Sequence, residues 1–173
     1  MKLTHYFIKK KVQYLASKAS TRKHRFCTLK EANHILALFH VNDLAVVEPC
    51  LETLRMLHKK VSACVYVPGD TVPQMNDSYK VIHVKKDLDA WYSPKETVVN
   101  ECNAMKADIL IDLTRPGCYP MQYLMLQHPC QFKVGVKHES MDLYDLAISI
   151  TERGDINHLF GHILFYLQTI RSK

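Results

Sequence analysis

The sequence predicts an α/β fold: a mostly parallel sheet of five or six strands, covered by helices on both faces in a three-layer sandwich. Three observations carry this. Short, nearly unbroken apolar runs of strand length recur along the chain, as strands buried on both faces do. Segments with apolar residues at helical spacing alternate with them. The length of 173 residues and the 47% hydrophobic content suit one domain with a sizeable core.

The elements follow in chain order. Leu3, Phe7, Ile8, Val12, Leu15 and Ala19 recur at helical spacing among lysines, so an amphipathic basic helix is expected to end before Arg22. Thr21–Leu29 is a polar connection, and His34–Val41 is the first strand. A helix over Glu48–Lys60 is expected, with Pro49 in its first turn, where a missing N–H costs little. Val61–Val67, closed by Pro68-Gly69, is the second strand, and Lys80–Val84 is the third. Ser93, Pro94 and Glu96 have capping-box spacing and predict a helix from there to about Lys106. Asp108–Leu113 is the fourth strand, Tyr119–Gln127 a short helix stopped by Pro129, and Phe132–Val136 the fifth strand. Leu146–Ile150 is the sixth strand, and Asp155–Ile170 is the closing helix.

Repeated β-α-β units with right-handed crossovers lead to an expected strand order 3-2-1-4-5-6, the Rossmann-like arrangement. Residues 1–30 read as a basic helix with its connection, and residues 31–173 as a single Rossmann-like domain. The charge divides along the same line. Nine of the 23 basic residues and none of the 17 acidic residues fall in 1–30. The remainder of the chain is therefore net negative, by three charges. A basic segment on a mildly acidic body suggests a polyanion or an anionic membrane surface as partner.

The six cysteines form no C-x-x-C pair and no compact metal-ligand spacing, so reduced thiols are expected. The first residues lack the apolar centre and cleavage site of a signal peptide, and no run approaches 18 apolar residues. The expected location is the cytoplasm, with a position on the inner face of the membrane as one variant.

In a doubly wound sheet, ligands bind beyond the carboxyl ends of the strands where the order reverses, here between strands one and four. The loops there bring forward Asn42, Asp43, Asp112, Thr114, Arg115 and Gly117. Arg115 could hold a phosphate or carboxylate, or pair with Asp43 or Asp112. Asn42 and Asp43 could meet sugar hydroxyls, or simply form a turn. Asp112 reads as a buried functional carboxylate or as a strand-mouth residue bonded to the next backbone amides. His158 and His162 have metal-ligand spacing on the last helix, but no third ligand stands beside them, and no metal site is expected. Asn42–Val47 has no glycine, so the phosphate-cradling turn of a nucleotide enzyme is missing and no cofactor is expected.

The chain resembles a bacterial family of unknown function, small proteins with a basic N-terminal helix followed by a Rossmann-like domain. The resemblance covers nearly the whole chain. It rests on the lysine-rich start and on the strands Ile35–Val41, Ala107–Leu113 and Phe132–Val136. It implies the fold and no catalytic residues. A more distant likeness, to the N-terminal half of heptosyltransferase-type glycosyltransferases, rests on the Asp108–Leu113 strand and the Val134-Gly135-Val136 step. Those enzymes hold the nucleotide-sugar mainly in a second domain, for which this chain has no room.

The expected function is a non-enzymatic binding module. Lys9, Lys10, Lys11 and Lys18 of the basic helix would contact an anionic membrane surface or a protein partner. Nucleic acid fits less well, and the same helix could instead pair two copies of the chain. The alternative is a small-ligand or sugar-phosphate site at the ends of strands one and four.

Overall fold

The computed structural model describes residues 3–19, 24–150 and 155–169. Thr21, Arg22 and Lys23 of the expected connection, and Ile170 at the expected end of the last helix, lie outside them.

The chain begins with α1 (Leu3–Ala19), then β1 (His34–His40), a 3-10 turn (Val41–Asp43) and α2 (Leu44–Met56). It continues through β2 (Lys60–Val67), β3 (Lys80–His83), the single turn α3 (Val84–Asp87), α4 (Glu96–Asn103) and β4 (Ile109–Asp112). It closes with α5 (Tyr119–Gln127), β5 (Lys133–Val136), β6 (Leu146–Ile148) and α6 (Ile156–Thr169). The strands form one parallel sheet in the order β3-β2-β1-β4-β5-β6. This is the expected order.

Alternation along the strands divides the core into two layers. Ile35, Ala37 and Phe39 of β1 face α2 and α6, with Val65, Ile111 and Val134 of neighbouring strands. Leu36 and Leu38 face the other way, with Leu110 and Ile82, onto Val98 and Cys102 of α4 and Met121, Leu124 and Met125 of α5. Val12 of α1 belongs to this second layer. The β2–β3 connection, residues 68–79, has no helix; Met75 and Tyr79 cover the α2 side instead.

Several element boundaries differ from the sequence reading, each for a local reason. The helix after β1 begins at Leu44 rather than Glu48, because the 3-10 turn runs straight into it. Pro49 therefore lies in its second turn, where the carbonyl of Ala45 loses its partner. Both residues are exposed, so water can replace the lost bond. The same helix stops at Met56, short of Lys60. His58 takes a left-handed φ of 62°, its N–H donates to the Arg55 carbonyl, and Lys59 donates back to Leu54. That is a Schellman closure. Lys60 is then free to pair with His34 in the sheet.

The expected cap at Ser93 is also displaced. Asp89 Oδ1 accepts the N–H groups of Trp91 and Ser93, and Leu88 bridges to Pro94. The helix starts at Glu96 behind Lys95 and ends at Asn103 rather than Lys106. Ser93 is buried, and its hydroxyl accepts a hydrogen bond from Lys11 Nζ at 2.9 Å. The third strand ends one residue early and the sixth two residues early.

Candidate functional site

The strand order reverses between β1 and β4, and their following helices pack on opposite faces of the sheet. The loops therefore part and leave a cleft of about 280 Å³, lined by His40, Asn42, Asp43, Thr114, Arg115 and Cys118. Four of the six residues brought forward from the sequence line it. Asp112 lies behind it, and Gly117 takes a φ of +96° in the same turn.

Each member has a defined job. The Asn42 N–H donates to His40 Nδ1 at 3.0 Å, which fixes the turn leaving β1 and puts the imidazole proton on Nε2. The Arg115 side chain is 83% exposed, and its guanidinium stands 3.9 Å from Asp43, which is only 15% exposed. That spacing is too long for a hydrogen bond, so the pairing is loose. The Cys118 N–H donates to the Arg115 carbonyl and closes the turn. The N–H groups of Arg115 and Gly117 have no acceptor among the described residues.

Asp112 is completely buried. Its Oδ1 accepts the Thr114 N–H at 2.9 Å and the Thr114 hydroxyl at 2.5 Å, and its Oδ2 accepts the Tyr144 hydroxyl at 2.7 Å. Burial nevertheless outweighs these bonds and pushes the carboxyl above its ordinary range. The Tyr144 ring lies over Gly135 of β5. A Cβ at Gly135 would come within 2.4 Å of the ring, so only glycine leaves room for it. Burial and the Asp112 charge push the Cys118 thiol up to about 12, which leaves it protonated and a poor nucleophile.

Two further hollows open on the surface. One of about 630 Å³ opens between Pro116, Lys137, His138 and Ser149. Another of about 630 Å³ lies at the amino end of the sheet, between Cys27, Asp108 and His128. Two of its polar side chains hold loops, whereas Asn103 Oδ1 is buried there with no partner among the described residues. Asp108 accepts the N–H groups of Asn33 and His34, and His128 bridges Met105 and Cys130. All six cysteines are free thiols, with Cys64 and Cys102 in sulfur contact at 3.6 Å inside the core. His158 and His162 stack at 5.9 Å on α6, and among the described residues no metal-holding group of His, Cys, Asp or Glu forms around them.

The four lysines of α1 differ in placement. Ile8 and Val12 turn inward and are buried. Lys10, Lys11 and Lys18 are exposed and Lys9 is half-buried. Lys10 lies over the Tyr6 ring at 5.5 Å and Lys18 over the Tyr14 ring at 4.4 Å. Phe7 meets Trp91 edge-on at 4.8 Å, and both remain exposed. Trp91, Tyr6 and Tyr14 were not singled out from the sequence, where helical spacing puts Phe7 on one apolar face with Ile8 and Val12; the structure buries those two and leaves Phe7 exposed. Tyr144 was not singled out either, since only the register of the sheet brings it to this edge; His40 ends the first strand and so belongs to a loop that the sequence already places at the site. Among the described residues no helix is long and apolar enough to cross a membrane.

No curated protein and no solved structure matches the chain. One family's sequence profile matches residues 4–170, from the second residue of α1 to just past the end of α6. With the parallel sheet and N-terminal helix described above, that match places the chain in a family of unknown function (DUF6913).

Proposed function

We propose that this chain is a binding module that docks on an anionic lipid surface through the outward face of α1. The observation that carries the reading is what α1 leaves uncovered. Its inward face is satisfied by Ile8 and Val12, yet Leu3 is 65% exposed and Tyr14 58%, with Tyr6 and Phe7 also exposed. These side chains interleave with Lys10, Lys11 and Lys18 on one face of the helix, and Trp91 adjoins it from the loop before α4. Aromatic rings with one polar edge settle at the headgroup level of a bilayer. Lysines among them gain roughly 1 kcal/mol each beside an anionic surface. Residues 31–173 carry a net negative charge, so repulsion turns the body away and fixes the orientation.

The test is flotation of the full chain with vesicles of phosphatidylserine and phosphatidylcholine, against phosphatidylcholine alone. Lys10→Glu with Lys18→Glu reverses two outward charges and leaves the Lys11–Ser93 bond intact. Flotation with the anionic vesicles, weakened by salt and lost in the double variant, is expected. Equal flotation with neutral vesicles, or a double variant that floats like the parent, would overturn the reading.

A further inference from the structure

We infer that the cleft between β1 and β4 binds a small phosphomonoester that also carries hydroxyl groups. The phosphate would lie on the Arg115–Cys118 turn and the hydroxyls on Asp43 and Asn42. This site lies apart from α1 and does not depend on lipid docking.

Size, charge and unused donors lead to the same ligand class. A cleft of about 280 Å³ is small for a ligand pocket. It accepts a phosphorylated sugar or polyol and is too small for a dinucleotide. The turn after β1 has no glycine that would let a pyrophosphate approach its backbone, and Asp43 repels an anion on that side. The anion is therefore directed to the other wall. There the Arg115 guanidinium is held only loosely, so closing on a ligand breaks no tight bond. The Arg115 N–H, without an acceptor among the described residues, adds one more donor from a residue that lines the cleft, and Gly117 shapes the turn behind it. The Thr114 hydroxyl is already spent on Asp112, so it is not part of the site. On the opposite wall a carboxylate and a carboxamide side by side suit hydroxyl groups, which donate to one and exchange hydrogen bonds with the other.

The experiment is amide NMR of the nitrogen-labelled full chain, titrated with glycerol 3-phosphate and glucose 6-phosphate, and separately with glucose and with inorganic phosphate. Saturable shifts at Asn42, Asp43, Arg115 and Gly117 are expected with at least one of the two phosphomonoesters at about 10 mM or below. Arg115→Ala, a change on an exposed loop, is expected to weaken that binding about tenfold. Asp43→Ala should narrow the preference for the phosphomonoester over inorganic phosphate, because the ester loses a hydroxyl partner while both anions lose the same repulsion. Lys137→Ala, in the neighbouring hollow, should change neither. The inference fails if these amides do not shift, if Arg115→Ala binds like the parent, or if inorganic phosphate matches the phosphomonoesters in affinity and pattern.

Discussion

Asp112 keeps three donors around it and is still strained by its surroundings, because burial raises its proton affinity more than those bonds lower it. The consequence for stability follows from linkage. Below the unfolded carboxyl value of about 3.9, both states hold the proton and there is no penalty. As pH rises, the unfolded chain releases its proton first, so the folded state loses stability until it too ionises. Asp112→Asn removes this slope. We expect the stability of the parent relative to that variant to fall as pH rises from about 4, and then to level off. Urea melts at several pH values measure it, and parallel curves would remove Asp112 as the cause. Histidines work locally in a different way. His40, His83, His128 and His138 each accept, through Nδ1, the N–H of the residue two positions on. The scattered histidines of the sequence are in part turn caps, a use that leaves no motif beyond the spacing within each turn.

At the scale of elements, the informative helix is α2, because both of its ends depart from the sequence reading. Its start was hidden by Pro49, which looks like a first-turn residue but sits exposed in the second turn. Its end depends on His58 in the left-handed region, the position a Schellman closure normally gives to glycine. A side chain there costs about 1–2 kcal/mol in sterics, part of which glycine's entropy would take back. His58→Gly is therefore expected to stabilise the chain by about 0.5–1 kcal/mol, read as a raised urea midpoint with unchanged slope. A lowered midpoint would mean that the imidazole makes contacts worth more than the strain. The strands were legible because each is an apolar run bounded by polar or turn residues. The helix starts were less so: α4 begins behind Lys95 with no side-chain cap in place of the expected Ser93, and the caps of the 3-10 turn and α3 are histidines.

For the whole molecule, α1 matters most. The sequence left open whether its apolar face packs on the domain or elsewhere. The structure buries Ile8 and lays Val12 into the α4–α5 layer, and each contributes roughly 1.5–3 kcal/mol by leaving water. Ile8→Ala is expected to cost about 2–5 kcal/mol in a thermal or urea melt. A loss below about 0.5 kcal/mol, the range of ordinary surface changes, would show that α1 leaves the domain in solution. Removing α1 altogether would uncover the second core layer, which is why charge reversal is the better probe of lipid docking.

The sequence by itself determined the parallel sheet, the strand order and the alternation of helices. These depend on apolar periodicity and on handed crossovers, both of which are local in the chain. It also pointed to the end of the sheet where a ligand would lie, since that follows from strand order alone. Only the tertiary structure decided which side chains meet there. Tyr144 reaches Asp112 across Gly135, thirty-two positions along the chain, and Lys11 reaches Ser93 across eighty-two. Trp91 joins Phe7 because the loop before α4 packs beside α1. Such meetings are set by register and by helix packing, where a shift of one residue turns every side chain to the other face. No pattern along the sequence encodes them.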